Sequence, residues 1–293
     1  NVSNSTRGIQ KYFRSYWSTF MKNISSFKSL VKDYEFFLFD QWGVLHNGHK
    51  KFPQAEECLK YLKKKNKKVI LISNSSRPTP HSISNLNKLG FSQDLYDYCI
   101  TSGQIALNSI KKDIHDKFGK VCYPLNLSKD KINFFNLVIT KDIKKANFAM
   151  IADLESGLTI LDFAITLEKL LKNNIPLLCS NPDFLVYDNK KLSMCGGTIA
   201  QLYEDMGGRV FRYGKPFKPI YKDIIKQMKI TRSSKVIVIG DSLWHDIAGG
   251  NEMGFDGLWI KNGVHRPQLN KKKEIQLLLD THNPKYSIKE LKL

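Results

Sequence analysis

Acidic residues are scarce in this chain. Against 46 Lys and Arg stand 27 Asp and Glu, a formal net charge of +19 over 293 residues, and residues 1–32 hold no Asp or Glu at all. A balance of that kind points to an anionic partner such as nucleic acid or a membrane surface, or to compositional drift. Lys far outnumbers Arg, whereas a surface shaped to read phosphate favours the planar Arg fork. Drift is therefore the preferred reading for the folded body. Long apolar runs are missing too. None reaches the roughly 18 residues a membrane span needs, so no transmembrane segment is expected. Cysteine is limited to Cys58, Cys99, Cys122, Cys179 and Cys195. The odd count without a CxxC pair excludes a disulfide framework or a zinc site and predicts reduced thiols in an intracellular compartment. No internal repeat is present.

The two ends carry what the middle lacks. Residues 1–30 form a basic, Ser-rich arm with Arg7, Lys11, Arg14, Lys22 and Lys28, and Tyr12, Phe13, Tyr16, Trp17 and Phe20 fall at helical spacings. That character matches an organelle-targeting or trimmed segment, and it favours the mitochondrial matrix over the cytoplasm. Two readings stay open for the aromatic stretch: a helix packed on its own domain, or an arm docking on a protein, RNA or membrane partner. Residues 264–293 read as a basic C-terminal extension with one helix around Lys273–Asp280.

Between the ends, apolar strands alternate with helices. Phe36–Phe39 leads to Asp40, and Val69–Ile72 leads to Ser73, with a helix over 53–65 between them. Thr79-Pro80 reads as an N-cap with proline in the first turn, and Gly90 closes that helix. Ser102 is expected to cap a helix reaching about residue 115. Residues 118–180 read as a separate block, with strands at 121–123, 148–151 and 176–179 and a helix over 157–173. Strands at 209–212, 235–239 and 256–259 resume the first block, with helices near 198–206, 217–228 and 245–253. Strands separated by helices predict an α/β fold, a doubly wound parallel sheet covered on both faces, with 118–180 as an inserted α/β domain.

In such sheets, ligands sit at the carboxyl ends of strands. Asp40 ends one strand, Ser73 another, and Gly240-Asp241-Ser242 a third, while Arg212-Tyr213-Gly214-Lys215-Pro216 supplies a lysine. A single acid after a strand is weak evidence, because Asp often caps the next helix. Two acids, a hydroxyl and a lysine make a stronger set. Two carboxylates meeting at one sheet edge repel, and a hard divalent cation such as Mg²⁺ relieves that repulsion.

The order D-Q-W-G-V, S-N-S-S, G-K-P and G-D-S-L-W-H-D-I resembles the four motifs of the haloacid dehalogenase-like (HAD) superfamily. The runs G-V-L-H-N-G, I-T-S-G-Q, S-N-P-D and G-G-T resemble its class IIA, nitrophenylphosphatase-like branch. The resemblance covers about residues 30–262. It implies a Rossmann-like HAD core over 31–117 and 181–263, with 118–180 as the cap that selects a small phosphorylated substrate. It also implies that Asp40 attacks phosphorus to give an aspartyl-phosphate, and that Mg²⁺ is held by Asp40, Asp241 and the Trp42 carbonyl and braced by Asp246. Ser73, Asn74 and Trp42 would then bind substrate, Ser73 and neighbouring backbone N–H groups holding the phosphoryl oxygens, and Lys215 would neutralise charge. Asp183 is left open between a plain turn residue and a substrate-facing one. His245 is expected at the surface or at a helix start.

Two positions depart from the pattern. Trp42 stands where the family carries the Asp that protonates the leaving oxygen, and an indole cannot do this at neutral pH. Ser75 stands where relatives often show Asn. Loss of general acid–base help, typically worth about 10²–10⁴ in rate, restricts turnover to activated phosphates. One reading is thus a Mg²⁺-dependent phosphatase or phosphotransferase. The other is a weakened or inactive HAD-fold subunit of a larger assembly, such as a mitochondrial ribosome or membrane complex, docked through its basic ends.

Overall fold

The computed structural model describes residues 21–188 and 191–293. The aromatic stretch Tyr12–Phe20 lies outside the described residues. Along the chain the strands are β1 (Lys22–Asn23), β2 (Phe36–Asp40), β3 (Lys68–Ser73), β4 (Tyr98–Thr101), β5 (Val121–Leu125), β6 (Val138–Ile139), β7 (Phe148–Ile151), β8 (Leu177–Cys179), β9 (Leu185–Asp188), β10 (Lys191–Met194), β11 (Val210–Arg212), β12 (Val236–Gly240), β13 (Asp256–Ile260) and β14 (Tyr286–Ile288). The chain divides into two compact units, Asn1–Val69 with Lys235–Leu293, and Ile70–Ser234. No helix among the described residues is long and apolar enough to cross a membrane. The five cysteines are buried and free.

In the first unit, β1, β14, β13, β12 and β2 lie side by side in that order, all parallel. β12 is buried along its whole length, Val236–Gly240, and β2 over Phe37–Asp40. Unbroken apolar runs such as VIVI follow from cover on both faces. The helix Ala55–Lys64 buries Ala55, Cys58, Leu59 and Leu62, an i, i+3, i+4, i+7 stripe.

Residues 21–30 and the extension from 264 join this unit more closely than the sequence predicts. Residues 21–30, placed in an arm, form β1 and a 3₁₀ turn at Phe27–Leu30. Phe27 is fully buried, its ring edge-on to Phe37 at 5.7 Å. Burying that ring outweighs the basic character of its neighbours. In the extension from 264, the helix Lys272–His282 leads to β14, which pairs with β13.

In the second unit, β3 and β4 pair in parallel from Ile70↔Tyr98 to Ser73↔Thr101. A separate parallel sheet runs β11-β8-β7-β5-β6, and β9 and β10 form an antiparallel hairpin. The strand at 209–212 therefore does not resume the first block. It pairs with β8, Val210 opposite Leu177, so the inserted sheet reaches residue 212. Thr101, not Ser102, caps the helix beginning at Ser102, its hydroxyl accepting from the Gln104 N–H. That helix passes through a π turn at Ile110–Ile114 and ends at Phe118. The fold is α/β, built on parallel sheets with helices between strands, as the sequence predicts.

Candidate active site

In the first unit the pairing of β2 with β12 places Phe39 opposite Ile239. Asp40 and Asp241 consequently emerge at the carboxyl ends of adjacent strands. After Asp241 the chain turns: the Ser242 hydroxyl accepts from the His245 N–H at 3.2 Å, and the Ser242 N–H donates to Oδ2 of Asp246 at 3.0 Å. Asp246 is thereby aimed back toward the strand ends. Oxygens of Asp40, Asp241 and Asp246 all lie within 4.8 Å of one another, and all three residues are buried. Like charges at that distance repel by about 3 kcal/mol per pair at an effective dielectric constant near 20.

The backbone around these acids is cut to fit them. Oδ2 of Asp241 accepts from the Val264 N–H at 2.8 Å, and the Trp259 indole N–H donates to the Asp241 carbonyl at 3.1 Å. A β-carbon on Gly240 would lie 2.0 Å from Cγ of Asp246. Three buried carboxylates at this spacing form a hard-oxygen donor set that fits a divalent cation of the Mg²⁺ class. Among the described residues they are the group of this kind the structure brings together.

The loop after Asp40 closes on itself. The N–H groups of Leu45 and His46 both donate to the Gln41 carbonyl, and the Gly43 N–H donates to the His46 carbonyl. Trp42 projects from this loop with 39% of its surface exposed. His46 is buried, and burial pushes its imidazole down to about 4, so it is neutral near pH 7. His245 is the third residue of the helical turn that Ser242 caps, and it is buried and not at the surface, with Nδ1 3.0 Å from the Ser242 hydroxyl.

The second unit holds the other candidates. Ser73 ends β3, and its hydroxyl accepts from the Ser75 N–H at 3.2 Å. Asn74 is buried and acts as a clamp. Its Oδ1 accepts from the Lys215 N–H at 2.6 Å, while its Nδ2 donates to the Lys215 carbonyl at 3.0 Å and to Oδ1 of Asp183 at 2.7 Å. Asn74, Lys215 and Asp183 are thus one hydrogen-bonded set, and Asp183 is more than a turn former. Ser75 fixes the loop through its carbonyl, which accepts from the Gly103 N–H at 2.9 Å.

A further group escaped the sequence reading. The Ser76 hydroxyl donates to Oδ2 of Asp153 at 2.5 Å, and Asn181 donates to Oδ1 at 2.9 Å. The Lys131 ammonium bonds the same Ser76 hydroxyl and lies 3.0 Å from Asp153. Burial raises the Asp153 carboxyl, but Lys131 and the two hydrogen bonds outweigh it, and the net shift is downward. Burial lowers the Lys131 ammonium, only partly offset by Asp153. No local motif joins residues 76, 131, 153 and 181; only the folded chain does.

Comparison with known proteins agrees with this geometry. A family model described as haloacid dehalogenase-like hydrolase matches residues 37–132, and a HAD-hydrolase-like model matches 212–292, together more than half of the chain. The chain is 22% identical over 285 residues to a 4-nitrophenylphosphatase of Schizosaccharomyces pombe, covering 88% of this chain and 95% of that protein. It is 23% identical over 271 residues to an acid sugar phosphatase of Staphylococcus saprophyticus, covering 89% and 96%. A haloacid dehalogenase-like hydrolase from Brucella suis 1330 superposes with a TM-score of 0.78 at 26% identity, covering 92% of this chain and 99% of that one. The chain belongs to the haloacid dehalogenase-like superfamily, in its class IIA, nitrophenylphosphatase-like branch.

Proposed function

We propose that the protein is a phosphatase or phosphotransferase that works through an aspartyl-phosphate on Asp40 and acts on phosphates with good leaving groups. The observation that carries this reading is the convergence of three buried carboxylates, one of them the last residue of β2. Asp40, Asp241, Asp246 and the Trp42 carbonyl are the groups that would hold Mg²⁺. When bound, Mg²⁺ supplies the positive charge that lets an anionic carboxylate approach an anionic phosphate.

In the first step a carboxylate oxygen of Asp40 forms a bond to phosphorus, and the bond from phosphorus to the leaving oxygen breaks. The leaving oxygen keeps the electron pair. Water then attacks the phosphoryl group, inorganic phosphate departs, and the Asp40 carboxylate is restored. Ser73 donates to the phosphoryl oxygens, and the Lys215 ammonium balances their charge. Asn74 holds the Lys215 backbone from both sides, which suits a positioning role. With indole at position 42, the leaving oxygen takes its proton from solvent. Acyl and aryl phosphates tolerate this, while alkyl phosphates suffer most. The aryl phosphatase named among the relatives accords with that preference.

A second reading is favoured by the charge of +19 and by Trp42 at the acid position: a HAD-fold subunit of a mitochondrial assembly, bound to protein or RNA through its basic ends. One assay separates the two. Phosphate release from acetyl phosphate and 4-nitrophenyl phosphate, with Mg²⁺ or with chelator, is compared between the wild type and Asp40→Asn. The enzyme reading expects Mg²⁺-dependent release that the variant lacks. Equal release by both proteins would sink it.

A further inference from the structure

Trp42 is the one exposed phenylalanine or tryptophan among the described residues. Exposure usually leaves a side chain free to rotate, but this indole is pinned. Its benzo edge rests on Gly48, where a β-carbon would lie 2.2 Å from Cη2 and 2.5 Å from Cζ3. The His46 ring meets it edge-on, with centroids 5.9 Å apart and planes at 73°. His46 is itself locked, because its Nδ1 accepts from the Gly48 N–H at 3.0 Å. The loop carrying all three is tied by the bonds from Gly43, Leu45 and His46. The result is a fixed aromatic wall two residues from Asp40, braced by Gly48 and His46 and with 39% of its surface exposed.

We propose that Trp42 is a specificity-determining residue whose exposed surface stacks on a planar aromatic leaving group, so that aryl phosphates are the preferred substrate class. This rests on the reading of Asp40 as nucleophile and adds a recognition element to it. A flat π surface with two ordered torsions loses little entropy on stacking. The same residue also sets the chemistry. A side chain that cannot give a proton suits leaving groups that need none, and aryloxides are both flat and weakly basic. Substrates that satisfy the two demands separately gain less: acetyl phosphate leaves readily but has no ring, and alkyl phosphates have neither property.

The test measures KM for 4-nitrophenyl phosphate and for acetyl phosphate in the wild type, Trp42→Leu and Trp42→Phe. The expected result is a rise of about 3- to 10-fold in the aryl-to-acetyl KM ratio for Trp42→Leu, largely reversed in Trp42→Phe. An unchanged ratio in Trp42→Leu overturns the proposal. A binding arm keeps it separable from the nucleophile reading: 4-nitrophenyl phosphate is titrated into Asp40→Asn with and without Trp42→Phe while indole fluorescence is followed. Saturable quenching that disappears with Trp42→Phe supports stacking even if turnover fails. Quenching that is absent, or that survives Trp42→Phe, contradicts it.

Discussion

Gly43 is packed against the carboxylate of Asp241: a β-carbon at position 43 would lie 2.2 Å from Oδ2 and 2.7 Å from Cγ. Gly43 also has φ +87°, in the left-handed region that favours glycine. The loop after the nucleophile and the acid on the neighbouring strand therefore fit each other by the absence of one methyl group. Gly43→Ala is expected to push Asp241 out of line, to weaken Mg²⁺ binding at least about tenfold, and to cost about 1–3 kcal/mol through backbone strain. Calorimetric Mg²⁺ titration and urea unfolding check both. Wild-type affinity in Gly43→Ala would count against the carboxylate cluster as the cation site.

Asn74 makes three hydrogen bonds from one side chain, two of them to the Lys215 backbone. Asn74→Leu keeps the branched shape, though not the size, and leaves the buried Lys215 amide without that acceptor. A loss of about 1–3 kcal/mol in stability is expected. Activity should fall further than stability explains, because Lys215 loses its fixed direction. Thermal unfolding beside steady-state kinetics separates these effects. A stable, fully active Asn74→Leu would show that the clamp has no bearing on catalysis.

His265 is fully buried, and its Nε2 accepts from the Leu243 N–H at 3.0 Å. Burial, with smaller contributions from His245 and His282, pushes its pKa down to about 4. In the unfolded chain the same imidazole titrates near about 6.5. The unfolded state therefore binds the extra proton between these values, and stability rises with pH across that window. The contribution is complete above about 6.5 and is lost as pH falls through about 4, with an upper size of about 3 kcal/mol. His46, also near 4 through burial, acts in the same direction. Urea midpoints from pH 7 to pH 4 should drop less steeply in His265→Asn than in the wild type. Identical slopes would remove His265 from this account.

Restoring the acid tests what Trp42 withholds. Trp42→Asp is expected to raise hydrolysis of alkyl phosphates by up to about 10²–10⁴, measured as kcat/KM with glycerol phosphate. No gain would mean that protonation of the leaving oxygen is not what limits alkyl esters.

The site acids were legible in the sequence because each ends an apolar strand and sits in a motif of fixed spacing. Asp40 after FFLF and Asp241 after VIVIG need no long-range knowledge to be placed at strand ends. Four features were not legible, for different physical reasons. The three-residue strand Val210–Arg212 is too short to show a period, so its partner had to be read from pairing with Leu177–Cys179. The burial of Phe27 and the pairing of Tyr286–Ile288 depend on a sheet that joins segments more than 200 residues apart, Lys22–Asn23 with Tyr286–Ser287, where local composition signals only charge. The contacts of Ser76 with Lys131 and Asp153 join residues 55 and 77 positions apart, and no periodicity reports such a meeting. Trp42 was legible as a missing acid, but its seat on Gly48 and His46 was not.

The central claim is that Asp40 takes the phosphoryl group. Acid-quenched reactions with acetyl phosphate and Mg²⁺, digested and mapped by mass spectrometry, test it most directly. The account predicts one phosphoryl group on the peptide carrying Asp40, removed by hydroxylamine and absent from Asp40→Asn. Mg²⁺-dependent turnover that persists in Asp40→Asn, with no label on that peptide in the wild type, would contradict it.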